Sequence, residues 1–205
     1  MKQQWFNVGR IGGISDGVFA IAMTLLVLDL KLPELESPVT RKIFTQAILA
    51  QLPHFFSWLI SFAILCRLWI TQNSIVERDE KKSRGFTAVN FVFLGAISFI
   101  PFPTSLISEH SDQPLSVIIF SVTYIAAGLA LAGMWFLSEK PHGESETRRG
   151  GDRSVKRIII GMPVVALISC LLSFIEPRFG ISIWVVFLFI GISGKRKREH
   201  ETHQS

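Results

Sequence analysis

Long apolar runs dominate this sequence, and they restrict the folds that the chain can adopt. A helix that crosses the roughly 30 Å hydrocarbon layer of a bilayer needs about 20 mainly apolar residues, since each residue advances it by about 1.5 Å. Six runs approach this length, at about residues 14–32, 47–70, 87–108, 115–137, 158–175 and 179–193. Lipid offers the backbone no hydrogen-bond partner, and the alternating pattern of membrane strands is absent. The sequence therefore predicts an all-α membrane protein with six transmembrane helices.

The connections between these runs are too short to hold an inserted soluble domain. We expect one membrane domain over residues 1–194, followed by a basic tail over residues 195–205. Residues 142–152 mix Gly143, Gly150 and Gly151 with charged side chains. This composition is typical of a flexible connector, here between the fourth and fifth spans.

Lysine and arginine are distributed unevenly between the two sides that six spans define. One side carries 16 of them and the other side carries four, while Arg67 lies within the second span. Basic loops face the cytoplasm, so both ends of the chain are predicted to be cytoplasmic, and we expect a prokaryotic cell membrane. Contact with anionic lipid accounts for the net charge of +5 and for the basic run at residues 195–198, and nucleic acid is not an expected partner.

No sequence motif of a common enzyme or metal site occurs in the chain. The patterns GxxxxGK[ST], HExxH, GxSxG and CxxC are all absent. Cys66 and Cys170 fall within apolar spans and are interpreted as membrane-buried free thiols. We therefore expect no catalytic residue, no resident metal and no cofactor.

Polar residues within the spans are concentrated in the first three. The last two spans are almost entirely Ile, Val, Leu and Phe with a few small residues. Polar side chains are costly in lipid and mark functional regions of membrane proteins. Any intramembrane function is therefore expected on spans one to three.

An arginine, a serine and an aspartate open the first span within seven residues. Arg10, Ser15 and Asp16 can be explained as a helix cap with an arginine that reaches the lipid headgroups. The longer segment Arg10-Ile-Gly-Gly-Ile-Ser-Asp-Gly also closely resembles the RxxxFSDG signature of the transmembrane protein 175 family, the lysosomal and prokaryotic potassium channels. Ile14 stands where that family usually has Phe.

Two further segments bear on this resemblance. Residues 98–104, with the sequence Ser-Phe-Ile-Pro-Phe-Pro-Thr, resemble the family's F-x-P-F-P-T ending of the third helix. In the second helix the family commonly has a Trp followed shortly by a His pair. Here Trp69 is followed by Ile-Thr-Gln-Asn, so the roles of those histidines do not transfer to this chain.

The resemblance implies a tetrameric cation-channel fold in which four copies of the first helix line one central pore. Ile21, Leu25 and Leu28 are spaced by four and three residues, which places them on one helical stripe. The resemblance implies that this stripe forms the pore constriction, with the Thr24 hydroxyl beside it and Asp29 concentrating cations at the outer mouth. Without the resemblance, contact with lipid or with other helices is favoured over pore lining, because it explains most apolar stripes in membrane helices.

A hydrogen-bond network is expected to hold the pore helix to its neighbours. The resemblance implies that Arg10, Ser15 and Asp16 meet polar groups of the second and third helices. The candidates are His54, Trp58, Trp69, Gln72, Asn73 and Asn90. Depth along the spans favours Trp69, Asn73 and Asn90. His54 follows Pro53 at the start of the second span, where an interfacial position is favoured over a role as a proton relay. For Arg67, an internal partner and a reach toward the cytoplasm both stay open.

These inferences favour a homotetrameric potassium channel that conducts K⁺ passively down its gradient. The alternatives are a proton-conducting channel of the same fold, a secondary transporter and a non-conducting membrane scaffold. A transporter predicts broken helices and buried carboxylates in both halves of the chain. A scaffold predicts that a polar substitution at Ile21 leaves ion flux unchanged.

Overall fold

The computed structural model describes residues 8–31, 33–35, 37–77, 83–138, 146–176, 180 and 182–184. The elements assigned within these ranges are all helical. They are α1 (Val8–Leu25), a 3₁₀ turn (Leu26–Asp29), α2 (Arg41–Ala50), α3 (Leu52–Val76), α4 (Arg84–Phe99), α5 (Pro101–Glu109), α6 (Pro114–Leu137) and α7 (Glu146–Leu172). The prediction of an all-α chain is confirmed over the described residues.

Five helical stretches among the described residues are long and apolar enough to cross a membrane. They are Gly9–Asp29, Arg41–Val76, Arg84–Glu109, Pro114–Leu137 and Val155–Leu172. Each overlaps one of the first five predicted spans. The sixth predicted span lies outside the described residues except for positions 180 and 182–184, and the basic tail lies wholly outside them.

The helices that contain the first and fifth spans begin several residues before the apolar runs from which these spans were predicted. Helix α1 starts at Val8, six residues before the predicted start of its span. Helix α7 starts at Glu146, so the prediction of a flexible connector over residues 142–152 is wrong from that residue onward. The length of an apolar run reflects the thickness of the hydrocarbon layer. The helix itself can continue into polar residues beyond that layer, because its backbone hydrogen bonds do not depend on apolar side chains.

The second span belongs to a helical stretch longer than a bilayer requires. Arg41–Val76 contains 36 residues, or about 54 Å of helix. It divides at Gln51 into α2 and α3, and the 25 residues of α3 are long enough to cross the membrane by themselves. Thr40 caps α2, because its hydroxyl oxygen accepts a hydrogen bond from the Ile43 N–H at 3.3 Å.

The third span is divided by prolines. Helix α4 begins after Ser83, whose hydroxyl oxygen caps the Phe86 N–H at 3.0 Å, and it ends at Phe99. The Ile100 N–H turns back to the Ile97 carbonyl at 3.2 Å, and α5 starts at Pro101. A proline is well placed in a first helical turn because it lacks the N–H that would otherwise be unpaired there. The prolines therefore interrupt the hydrogen-bond pattern between α4 and α5, while Ile100 itself keeps helical backbone angles of φ −54° and ψ −38°.

Helix α6 is the most buried span and packs against both α4 and α7. Helix α1 packs against α3 and α4 through one face only. On that face Phe19 is buried and its ring lies 5.9 Å from the ring of Phe93 in α4. The opposite face of α1 is left uncovered within one chain, and it carries the predicted pore stripe.

The contact between α6 and α7 generates a prediction at Gly128. A Cβ atom at this position would lie 2.8 Å from Cγ of Pro163, a rigid ring in α7. We expect Gly128→Ala to separate the two helices and to reduce stability by about 1–3 kcal/mol. The matched control is Gly95→Ala, where a Cβ would meet no atom within 4 Å. Thermal unfolding of the purified protein in detergent should show a lower midpoint for the first variant alone, and equal midpoints would contradict the prediction.

Candidate pore-lining helix

The uncovered face of α1 carries all four residues predicted at the constriction. Ile21 and Leu28 are 60% exposed and Leu25 is 42% exposed, and Thr24 is also exposed. The buried face consists of Ile11, Ser15, Phe19, Ala22 and Leu26. Between Asp16 and Asp29 the helix has no charged residue. One chain thus presents a continuous, uncharged and mainly apolar stripe to whatever surrounds it.

The end of this stripe is formed by the 3₁₀ turn. Leu25 is the last residue of α1, and Leu28 lies three residues later within the turn. Side chains three residues apart in a 3₁₀ helix eclipse each other, so Leu28 is aligned with Leu25 along the axis. The turn therefore continues the stripe in line instead of rotating it away.

Thr24 points its oxygen lone pairs away from the helix backbone. Its hydroxyl donates to the Ile21 carbonyl of the same helix at 2.9 Å. A hydroxyl has a single hydrogen, so the exposed oxygen is left as an acceptor. Such an oxygen can replace a water ligand of a cation but offers no donor to an anion.

At the N-terminal half of α1, Gln72 joins three helices. Its side-chain nitrogen donates to Ser15 Oγ of α1 at 2.9 Å and to Asn90 Oδ1 of α4 at 3.1 Å. Ser15 in turn donates to the Ile11 carbonyl at 2.9 Å, so its hydrogen and a lone pair are both used. All three polar side chains are at least 99% buried. We call Ser15, Gln72 and Asn90 the Gln72 bridge.

The bridge includes two predicted network residues and one that was considered but not favoured. Ser15 and Asn90 were expected in such a network, whereas Asn73 was preferred to Gln72. The signal for Gln72 is its spacing, since it follows the buried residues Leu65 and Leu68 at helical intervals and precedes the buried Ile75. A glutamine in an otherwise apolar buried stripe requires polar partners from the neighbouring helices.

A second contact lies beside the bridge. The Trp69 indole N–H donates to Asp16 Oδ1 at 2.8 Å, which joins α3 to α1 at a more exposed position. Arg10 is exposed and Asn73 is partly buried. Among the described residues, no hydrogen bond or ion pair connects the side chains of Arg10 and Asn73 to Asp16, Trp69 or the Gln72 bridge. Their part in a support network stays a prediction.

At the other end of the stripe, Asp29 is surrounded by polar side chains from two helices. Its two carboxylate oxygens lie 2.6 Å from Ser105 Oγ and 2.7 Å from Ser108 Oγ, both on α5. His54 Nδ1 of α3 lies 3.9 Å from Asp29 Oδ2. We call Asp29, His54, Ser105 and Ser108 the Asp29 clamp. Whether Asp29 concentrates cations stays a prediction.

The described residues contain no group of three or more His, Cys, Asp or Glu side chains that could hold a metal ion. Cys66 and Cys170 are both free thiols in partly buried positions. The chemistry available along α1 and the following turn is therefore that of apolar side chains and one exposed hydroxyl. Three polar contacts hold this stretch: the Gln72 bridge, the Trp69–Asp16 hydrogen bond and the Asp29 clamp.

Comparison with known proteins identifies a family. The model of the endosomal/lysosomal potassium channel TMEM175 matches residues 10–101. This segment contains almost all of α1 together with α3 and α4, and thus every residue of the Gln72 bridge. It also contains the uncovered stripe of α1.

Individual relatives extend the likeness over most of the chain. A potassium channel of Chamaesiphon minutus is 30% identical over 186 residues, which are 88% of this chain and 91% of that one. The human endosomal/lysosomal proton channel TMEM175 is 29% identical over 110 residues, which are 51% of this chain and 22% of that one. The crystal structure of a lysosomal potassium-selective channel TMEM175 homologue from Chamaesiphon minutus superposes with a TM-score of 0.76, at 26% identity, over 90% of this chain and 96% of that one.

The Gln72 bridge generates a prediction about stability. Gln72→Leu keeps the side-chain volume but leaves the buried Asn90 Oδ1 without the hydrogen that Gln72 donates. We expect a cost of about 1–3 kcal/mol, seen as a lower thermal unfolding midpoint in detergent. Asn73→Leu is the matched control on the adjacent residue and should leave the midpoint near that of the wild type. A larger loss for Asn73→Leu than for Gln72→Leu would show that the network is centred on Asn73.

Proposed function

This chain belongs to the TMEM175 family of cation channels, and from that premise we propose that it conducts K⁺ passively through a central pore. In this proposal four copies assemble as a homotetramer in the bilayer, and the four α1 helices line the pore. Monovalent cations pass down their gradient without a cofactor or a catalytic step. The positive-inside distribution of lysine and arginine supports cytoplasmic ends of the chain in a cell membrane.

The observation that carries the proposal is the division of α1 into two unlike faces. One face is packed against the chain's own helices and held by the Gln72 bridge, while the other is exposed, uncharged and continuous from Ile21 to Leu28. A helix with one face packed and the opposite face exposed is suited to line a pore. Its rotation about its own axis is set within one chain, before other copies bind. The potassium channel named among the relatives supports K⁺ as the permeant ion.

Apolar rings control ion flow by two physical effects. A narrow ring of isoleucine or leucine limits the pore width, and it also offers no ligands to an ion that must shed water. In the proposed pore, Ile21 forms the narrowest ring, and Leu25 and Leu28 extend the constriction over about 10 Å. Selectivity is modest, because no TVGYG carbonyl filter occurs in the sequence. The Thr24 oxygen supplies the one polar ligand within this length.

A proton channel of the same fold is the second candidate. The human relative that bears this name matches half of this chain, and narrow apolar pores can pass protons along transient water. Comparison of potassium and proton permeabilities in the same bilayer separates the two. A secondary transporter fits less well: α4 and α5 form a broken helix, but no acidic residue lies within Pro114–Leu137 or Val155–Leu172.

The first test of the proposed pore is a polar substitution at its narrowest ring. We expect Ile21→Asn to raise the single-channel conductance in planar bilayers, because an amide side chain replaces part of the water that the ion must lose. The reversal potential under opposed K⁺ and Na⁺ gradients should favour K⁺ in the wild type.

Val122→Asn is the matched control, since Val122 is 53% exposed on α6, away from the α1 stripe. It should leave the conductance unchanged. Folded protein that is silent in both the wild-type and the Ile21→Asn forms would refute the channel and favour the transporter or scaffold.

The second test concerns the hydroxyl of Thr24. Thr24→Ala removes the only polar ligand of the constriction, and we expect the reversal potential to move toward that of a channel that does not distinguish K⁺ from Na⁺. Thr24→Ser keeps an oxygen that can donate to the Ile21 carbonyl and present the same lone pairs. It should therefore retain most of the wild-type preference. Equal reversal potentials for the alanine variant and the wild type would exclude this role.

A further inference from the structure

The Asp29 clamp holds the last residue of the first helical stretch. Asp29 ends the 3₁₀ turn and directly follows Leu28, the last residue of the apolar stripe. The carboxylate is only 19% exposed. A carboxylate that has lost most of its water needs hydrogen-bond donors from the protein, and α5 supplies two of them.

The two serines are spaced to meet both oxygens at once. Ser105 and Ser108 are three residues apart on α5, so their hydroxyls lie on one face of that helix. Ser105 Oγ lies 2.6 Å from Asp29 Oδ1, a length typical of a hydroxyl that donates to a charged oxygen. Ser108 Oγ lies 2.7 Å from both Asp29 Oδ2 and the Ser105 carbonyl. Its one hydrogen serves the carboxylate better, because the charged oxygen is the stronger acceptor.

The turn that carries Leu28 depends on such an anchor. A 3₁₀ turn has poorer hydrogen-bond geometry than an α-helix, and longer runs of it are uncommon. After Leu26–Asp29 the backbone is held by the Leu30 N–H to the Val27 carbonyl at 3.1 Å and by the Lys31 N–H to the Asp29 carbonyl at 3.0 Å. Bonds between the Asp29 side chain and a separate helix fix the direction of the whole turn, and with it the direction of Leu28.

We propose that Ser105 and Ser108 of α5 and His54 of α3 are positioning residues, which hold the end of the pore helix through Asp29 and thereby set the position of Leu28 in the constriction. This rests on the proposed function of α1. The three residues touch no permeant ion in this account. They act through the carboxylate.

His54 completes the clamp from α3. Its Nδ1 atom is buried, lies 3.9 Å from Asp29 Oδ2 and has no hydrogen-bond partner among the described residues. The imidazole therefore shields the carboxylate from solvent on the α3 side. The other charged or titratable groups described at this end are all exposed to solvent, namely Lys31, Glu34, Arg41, Lys42, Glu109, His110, Asp112 and Glu176.

A spin label on the 3₁₀ turn tests the clamp without any need for ion flux. The label is attached at Val27→Cys, a position 47% exposed and outside the predicted constriction, in a chain with Cys66→Ala and Cys170→Ala. In the reconstituted protein we expect Ser105→Ala/Ser108→Ala to shorten the rotational correlation time of the label. We also expect His54→Ala to shorten this correlation time, because it removes the imidazole that lies 3.9 Å from the carboxylate.

The control variant is Thr45→Ala, whose hydroxyl donates only to the Arg41 carbonyl of its own helix, at 2.9 Å. It should change neither the label motion nor the current. Unlabelled Ser105→Ala/Ser108→Ala and unlabelled His54→Ala should in addition each show an altered single-channel conductance.

Three results would overturn the proposal. Unchanged label motion in the double serine variant would show that Asp29 does not hold the turn. Faster label motion in the double serine variant, together with a conductance equal to that of Thr45→Ala, would show that the clamp holds the turn but does not affect the constriction. Unchanged label motion in His54→Ala would show that His54 is not part of the clamp. A wild-type protein that carries no current refutes the channel function, and the label motion then still decides whether the clamp exists.

Discussion

One side-chain amide, that of Gln72, fixes how the first half of this molecule is put together. Within a bilayer, polar groups have few alternatives to one another, so a buried amide that meets two buried acceptors orders the helices that carry them. Its nitrogen has two hydrogens, and the hydroxyl of Ser15 and the carbonyl of Asn90 use one each. The rotation of α1 about its axis follows from this arrangement. The hydrogen bond between Gln72 and Ser15 turns one face of α1 inward, and Ile21 is therefore exposed on the opposite face.

The two ends of α1 are held by different chemistry. The Gln72 bridge consists of uncharged side chains that share hydrogen bonds. The Asp29 clamp is built around a carboxylate that lies within hydrogen-bond distance of two serine hydroxyls. The two attachments lie on either side of the apolar stripe. The position of the stripe is therefore fixed from both directions along the chain.

Sequence reasoning was sufficient for the first five spans and for the exposed face of α1, because these depend on apolar length and on helical period. It also identified Ser15 and Asn90 as polar groups that required partners. It preferred Asn73 to Gln72, since depth along the span cannot separate adjacent residues that point to different sides of a helix. The contacts of Ser105 and Ser108 with Asp29 join residues 76 and 79 positions apart, and no local sequence pattern predicts a contact over that separation. The helical start of α7 at Glu146 was missed because charged residues and glycines are typical of connectors as well as of exposed helix ends.

The open face of α1 also bears on how such a protein is made. In water, an isoleucine and two leucines exposed on one helix would drive aggregation, but lipid tails solvate them as well as protein does. The uncovered stripe therefore does not make a single newly inserted copy aggregate. In the proposed tetramer, association of the copies comes from close packing instead, and Gly13 and Gly17, where an added Cβ would meet no atom within 4 Å, leave the backbone of α1 accessible for it. Under that proposal, folding of each chain and assembly of the four chains are two separate events, and the bilayer solvates the stripe between them.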